Sequence, residues 1–180
     1  MWTIRQSAQV LAITIGLVIV ARGAPAVAEQ VTLTELGGAK TQGAIVVDAS
    51  PAAVYALVTD YDNWPNVLTD IKRVDVKSGG RQDARVWFDS RAMKHGVTVQ
   101  FDNTSGSVIT FRLVDGPRGA RATGEYLLRG IDGDKRTRIT ATLYMNVVGA
   151  VGVFVRDKTI RKMRQKKLRT DLEDVARYFD

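Results

Sequence analysis

The chain has 180 residues, 45% hydrophobic and 25% charged, which is the composition of one globular domain. It has no cysteine and a single histidine, His95, which excludes disulfides, thiol catalysis and cysteine- or histidine-rich metal sites. The formal net charge of +7 points to an anionic surface as a partner, or simply to solubility.

The N-terminus reads as a targeting segment. Arg5 precedes an apolar run from Val10 to Val20, too short to span a bilayer comfortably. Ala26-Val27-Ala28 then forms a small-x-small cleavage pattern. This predicts a signal peptide over residues 1–28 and a periplasmic or secreted mature protein, the alternative being a retained anchor. Export argues against nucleic acid as a partner. Residues 29–39 are expected to form an extended arm, and residues 40–180 the folded domain.

Thr41 to Asp48 reads as a first strand. Ser50 as N-cap and Pro51 at the first helical position start a helix running to about Thr59, with Val54, Leu57 and Val58 on its buried side. Asp60 to Pro65 is a break, because Pro65 disfavours helix at Trp64. A short second helix is expected through Val67 and Leu68. Strands follow at Val74–Lys77, Ala84–Arg91, Val97–Asp102, Ile109–Leu113 and Thr123–Arg129, most of them with apolar residues at every second position. Asp132-Gly133-Asp134 makes a hairpin turn into a long strand, Thr137–Val148.

A long helix from Val153 to Phe179 closes the chain. Leu168, Leu172, Val175 and Phe179 lie on one face of it. Its first half is basic: Arg156, Lys158, Arg161, Lys162, Arg164, Lys166, Lys167 and Arg169 stand against Asp157 alone. A mostly antiparallel sheet followed by one amphipathic helix buries the helix stripe on the concave face of the sheet. The expected fold class is therefore α+β, a curved antiparallel sheet of about six or seven strands around the C-terminal helix, with one or two short helices after the first strand.

Ser50-Pro51-Ala52-Ala53-Val54-Tyr55, Asp60-Tyr61-Asp62-Asn63-Trp64-Pro65, Asp115-Gly116-Pro117 and the long last strand entering the terminal helix appear in a telling order. Together they resemble the START-like helix-grip (SRPBCC) superfamily, and within it the coenzyme-Q-binding and polyketide cyclase group. The resemblance covers roughly residues 40–180. It implies a hydrophobic cavity between sheet and helix that binds a lipid, a quinone or a similar molecule.

The inward faces of the strands nominate Phe88, Val99, Phe101, Phe111, Leu113, Tyr126, Leu143 and Met145 as cavity lining, joined from the helix by Met163 and Leu172; plain core packing is the other reading. Tyr61 and Trp64 stand as a gate beside the cavity mouth, or as a packed loop staple. Val147–Val155 carries no polar side chain. Phe154, Arg156, Lys158, Arg161, Lys162, Lys166 and Lys167 are the expected contacts to an anionic membrane surface, at about 1 kcal/mol per cation near the head groups. A merely solvated helix is the alternative.

His95 falls in a turn with no nucleophile to serve. No metal and no cofactor are expected. The function read here is non-catalytic binding or carriage of a hydrophobic small molecule or lipid. A cyclase or dehydratase using Glu125, Tyr126 or Tyr144 is the first alternative, and a protein-interaction module using the basic helix the second. The sequence leaves the oligomeric state open.

Overall fold

A computed structural model describes residues 30–91, 93, 95–148 and 157–180. The predicted signal segment, Phe154 and Arg156 lie outside the described residues, as does most of Val147–Val155.

The chain runs β1 (Thr32–Gly37), β2 (Lys40–Val47), α1 (Pro51–Val58), a 3-10 turn (Tyr61–Asn63), α2 (Trp64–Val67), β3 (Ile71–Gly79), β4 (Asp83–Ser90), β5 (Val97–Ser105), β6 (Val108–Asp115), β7 (Ala120–Ile131), β8 (Arg136–Val147) and α3 (Asp157–Phe179). Ser50 caps α1, its Oγ accepting the Ala53 N–H at 3.3 Å. Pro65 does not exclude Trp64 from a helix. It occupies the first turn of α2, where an N–H has no intrahelical acceptor to lose.

All eight strands form one antiparallel sheet in the order β1-β2-β8-β7-β6-β5-β4-β3. The eighth strand, beyond the six or seven expected, is β1, which occupies the predicted arm and pairs with β2. Each free edge is irregular. Pairing slips between Glu35 and Gly37 in β1, and in β3 between Ile71 and Arg73 and again between Val76 and Ser78.

One face of this sheet holds the core. Ala84, Val86, Phe88, Val97, Val99, Phe101, Ile109, Leu128, Ile139, Ala141 and Leu143 are all buried there. Helix α3 packs chiefly on β2 and β8, to one side of the concave face. Gly43 permits this approach, since a Cβ at that position would lie 2.8 Å from Leu172 Cδ1.

Arg164 locks the helix in place, although the sequence counts it with the solvated cations. Its side chain is only 6% exposed. Nε donates to Thr41 Oγ1 at 3.0 Å, Nη1 to the Met145 carbonyl at 3.2 Å and Nη2 to Glu35 Oε2 at 3.2 Å. Thr41 and Gln165 also donate to Glu35 Oε1, at 2.8 and 2.9 Å. Burial alone would raise the Glu35 pKa, but the hydrogen bonds from Thr41, Gln165 and Arg164 together hold it below the ordinary carboxylate value. At the other end of α3, Asp174 Oδ2 accepts the Thr69 N–H at 2.7 Å and the Thr69 hydroxyl at 2.8 Å, tying the helix to the start of β3.

Arg164→Ala should lower unfolding free energy by about 3 kcal/mol in urea denaturation, because it strands buried acceptors as well as removing a charge pair. Gly43→Ala should cost about 1–3 kcal/mol by overpacking against Leu172, and Gly43→Ala with Leu172→Val should recover part of the loss. A Gly43→Ala protein as stable as the parent would contradict the close approach.

Candidate functional site

The concave face is not evenly covered. Phe88, Val99, Phe101 and Leu143 are buried core residues, and Leu172 is buried against β2. Phe111 and Leu113 on β6, Tyr126 on β7 and Met145 on β8 are only half-buried, although their side chains pack on the core. They form the uncovered part of the inner face, beside α3. The inner positions of β7 next to them are small: Ala120, Ala122 and Gly124. Phe111 lies over Gly124, where a Cβ would come within 2.5 Å of Phe111 Cζ. The result is a partly open apolar strip, or shallow groove, along the inner faces of β6, β7 and β8, which reaches α3 where Tyr126 meets Asp171.

An aromatic row leads into this groove from the core. Ring centroids run from Tyr61 to Phe101 at 4.8 Å, Phe101 to Phe111 at 6.0 Å and Phe111 to Tyr126 at 6.1 Å. Trp64 meets Tyr61 edge-on at 5.2 Å, and its indole N–H donates to the Val58 carbonyl at 3.0 Å. Tyr61 is 4% and Trp64 8% exposed, so the pair that the sequence offers as a gate is a staple holding the α1–β3 connection onto the sheet. The Tyr61 hydroxyl accepts from Asn103 Nδ2 at 2.9 Å. Burial pushes the Tyr61 pKa up to about 12, against the smaller opposing effect of that hydrogen bond.

Where the groove meets α3 it becomes polar. Lys167 Nζ lies 2.8 Å from Asp171 Oδ1 and 3.7 Å from Asp70 Oδ2. Ser90 Oγ donates to Asp70 Oδ2 at 2.7 Å. The Tyr126 hydroxyl interacts with the Asp171 carboxylate; burial and that negative charge both raise its pKa. Burial also raises the pKa of Asp171, with Lys167 opposing. For Lys167 burial alone would lower the pKa, but the carboxylates of Asp171, Asp70 and Asp174 outweigh it and the ammonium is held. The arrangement therefore offers a neutral phenol, a charged ammonium and two carboxylates beside an apolar surface. Composition hides this cluster, but position exposes it: Asp171 and Asp174 fall among the apolar positions of α3, where a charge requires a partner.

Two sequence-based assignments change here, those of Lys167 and Met163. Lys167 turns inward to Asp70 and Asp171 and is not among the cations facing outward; Lys158, Arg161, Lys162 and Lys166 are exposed. Met163 is 46% exposed on the flank of α3, one turn before Lys167, and is not part of an enclosed lining. Glu125 is exposed on the outer face of the sheet, and Tyr144 lies with it beside a hollow of about 410 Å³ that also includes Lys40 and Arg112. A second hollow, of about 640 Å³, lies between the β1–β2 turn, the end of β8 and the first turns of α3. No group of side chains with metal-ligand geometry occurs among the described residues.

Residues 38–180 match the family model for polyketide cyclase / dehydrase and lipid transport proteins. The chain belongs to this family. Solved structures similar to the chain share its fold. They include the ZhuI aromatase/cyclase of Streptomyces sp. R1128, with 17% identity, a TM-score of 0.63 and coverage of 76% of this chain and 90% of that one. A START superfamily protein of Mycobacterium smegmatis has 14% identity, a TM-score of 0.66 and coverage of 78% and 96%. A protein of Thermus thermophilus has 17% identity, a TM-score of 0.66 and coverage of 77% and 94%. At these identities the likeness is one of fold. No curated protein matches the chain. A hydrophobic-ligand-binding fold is what the family membership establishes.

The raised Tyr61 pKa has a stability consequence. A group titrating higher in the folded state contributes stability that is complete below its unfolded pKa, near 10 for tyrosine, and is lost as pH rises toward the folded value of about 12. Urea denaturation followed across that alkaline range should show a steeper loss for the parent than for Tyr61→Phe. Equal slopes would refute the assignment.

Proposed function

We propose that this family member binds a hydrophobic, lipid-like molecule in the groove between the concave sheet and α3, and carries it without chemical change. The observation that supports this reading is the half-buried apolar row Phe111, Leu113, Tyr126 and Met145. Apolar side chains left partly open inside a concavity, with few polar groups converging on them, are the usual surface of a small-molecule site. Each methylene of a ligand chain buried there contributes about 0.8 kcal/mol. Lipids and quinones are candidate ligands of this kind.

The reading extends to location. Residues 1–28 serve as an export signal, and the mature protein works at an anionic membrane surface, collecting or delivering its ligand there. Support comes from the exposed cations Lys158, Arg161, Lys162, Lys166 and Arg169, which line the outer side of α3. The only acids exposed on that helix before its last turn are Asp157 and Glu173, the latter 3.9 Å from Arg169.

A second reading has one observation in its favour. The ionisable cluster of Tyr126, Asp171, Lys167 and Asp70 borders the groove, and a phenol or an ammonium is a proton donor of the kind a cyclisation or dehydration needs. Glu125 and Tyr144 do not contribute, since they stand on the opposite face of the sheet.

Native mass spectrometry of the protein, with organic extraction of what it holds, separates these readings. A co-purifying lipid or quinone released unchanged supports carriage. A polyketide-like compound converted to product during incubation would replace carriage by catalysis. Leu113→Asp should abolish co-purification with the fold retained, as judged by circular dichroism.

The membrane reading predicts that Lys162→Glu with Lys166→Glu reduces binding to phosphatidylglycerol vesicles by at least about tenfold, two reversed charges being worth several kcal/mol near the surface. Cosedimentation that survives the double reversal at physiological salt would exclude this face as the contact.

A further inference from the structure

The groove end built by Lys167, Asp171, Asp70 and Tyr126 has a charge balance that selects among lipids. Lys167 supplies one positive charge to two carboxylates, at 2.8 and 3.7 Å. The nearby Asp174 pairs with Arg177 at 2.8 Å and also holds Thr69, so Arg177 brings no free positive charge to the site. An ammonium has three N–H donors, and two carboxylates leave one for another acceptor. A carboxylate or phosphate brought to that third donor would sit beside Asp70 and Asp171, already within 4 Å of the same nitrogen. Like charges so close in a partly desolvated site oppose binding strongly.

An uncharged hydroxyl meets no such opposition. Its oxygen accepts from Lys167, and its proton goes to a lone pair of Asp70 or Asp171. Carboxylate oxygens have acceptor capacity beyond the single hydrogen bonds from Ser90 and Lys167. Approach is open on this side of α3: the Lys167 side chain is 27% exposed, and Met163, one turn earlier, stands 46% exposed. Tyr126 belongs both to the half-buried apolar row and to the polar end, so the two surfaces are continuous.

Resting on the reading of the groove as the ligand site, we propose that its polar end recognises the hydroxyl of an uncharged apolar alcohol and rejects fatty carboxylates and phosphate head groups. The specificity comes from the excess of carboxylate over ammonium. It does not depend on the exposed cations of α3, which face the other way.

The test compares dodecanol with dodecanoate in displacing the neutral fluorophore N-phenylnaphthylamine from the full chain. The parent should bind the alcohol at least about tenfold more tightly than the carboxylate, and Asp70→Asn should shrink that ratio severalfold by improving carboxylate binding. Asn at position 70 keeps an acceptor for Ser90, so a folded variant is expected, and its thermal transition provides the check. Equal affinity of the two lipids for the parent, or a ratio untouched by Asp70→Asn, would overturn the proposed head-group preference while leaving the groove as a ligand site. Failure of both lipids to displace the fluorophore would remove the groove reading and this inference with it.

Discussion

Burying the Arg164 guanidinium requires acceptors in fixed places, and β1, β2 and β8 supply them through Glu35, Thr41 and the Met145 carbonyl. Three hydrogen bonds in three directions leave α3 little freedom to slide along the sheet or roll on it. Gly43 below Leu172 sets the depth, and Thr69 below Asp174 sets the far end. With the helix held over β2 and β8, the inner faces of β6 and β7 cannot be fully covered by it. The groove is thus a by-product of where one charge finds its partners, and the lysine that borders it belongs to the same helix, one turn past the arginine.

The outline of this fold is legible because periodicity reports burial. In β4, β5 and β8 every second residue lies on the core face, and the apolar alternation marks the strands directly. It marks β7 only from Thr123 to Arg129, because the strand begins with Ala120 and Ala122 on its inner face, residues too small to stand out as apolar. The arm that becomes β1 has the same difficulty: as an edge strand with mostly exposed side chains, it carries no burial pattern to read.

The site is less legible than the fold, for electrostatic reasons. Lys162 and Lys167 look alike in the sequence, yet one faces solvent and the other is held between two aspartates contributed by α3 and by the turn before β3. Arg164 and Lys166 divide in the same way. A helical wheel places Arg164 and Lys167 within the basic half, but the partners that turn them inward, Glu35 and Asp70, are remote in the chain. Tyr61 and Trp64 illustrate the converse. Aromatic residues in a loop suggest a mobile rim, whereas the indole hydrogen bond to Val58 and the ring contact with Phe101 hold them in the core. Asp171 is a local partner for Lys167, but Glu35, Asp70 and Phe101 are remote in the chain from the residues they hold, and no local pattern encodes them.

The slips in strand pairing at the two sheet edges bear on how this protein survives at high local concentration. An open eight-stranded sheet presents two rows of unpaired backbone groups, each a template for a strand of another molecule. In β3 the residues at the slips are Lys72 and Lys77, so each interruption of the ladder also carries a positive charge. In β1 the slip falls at Leu36, beside the positive-φ turn Gly37-Gly38-Ala39. A bulge bends the edge and breaks the repeat that a docking strand would need, and lysines repel an identical edge from a second copy. The sheet therefore stays open at its sides without inviting the chain-to-chain ladder growth that leads to fibrils.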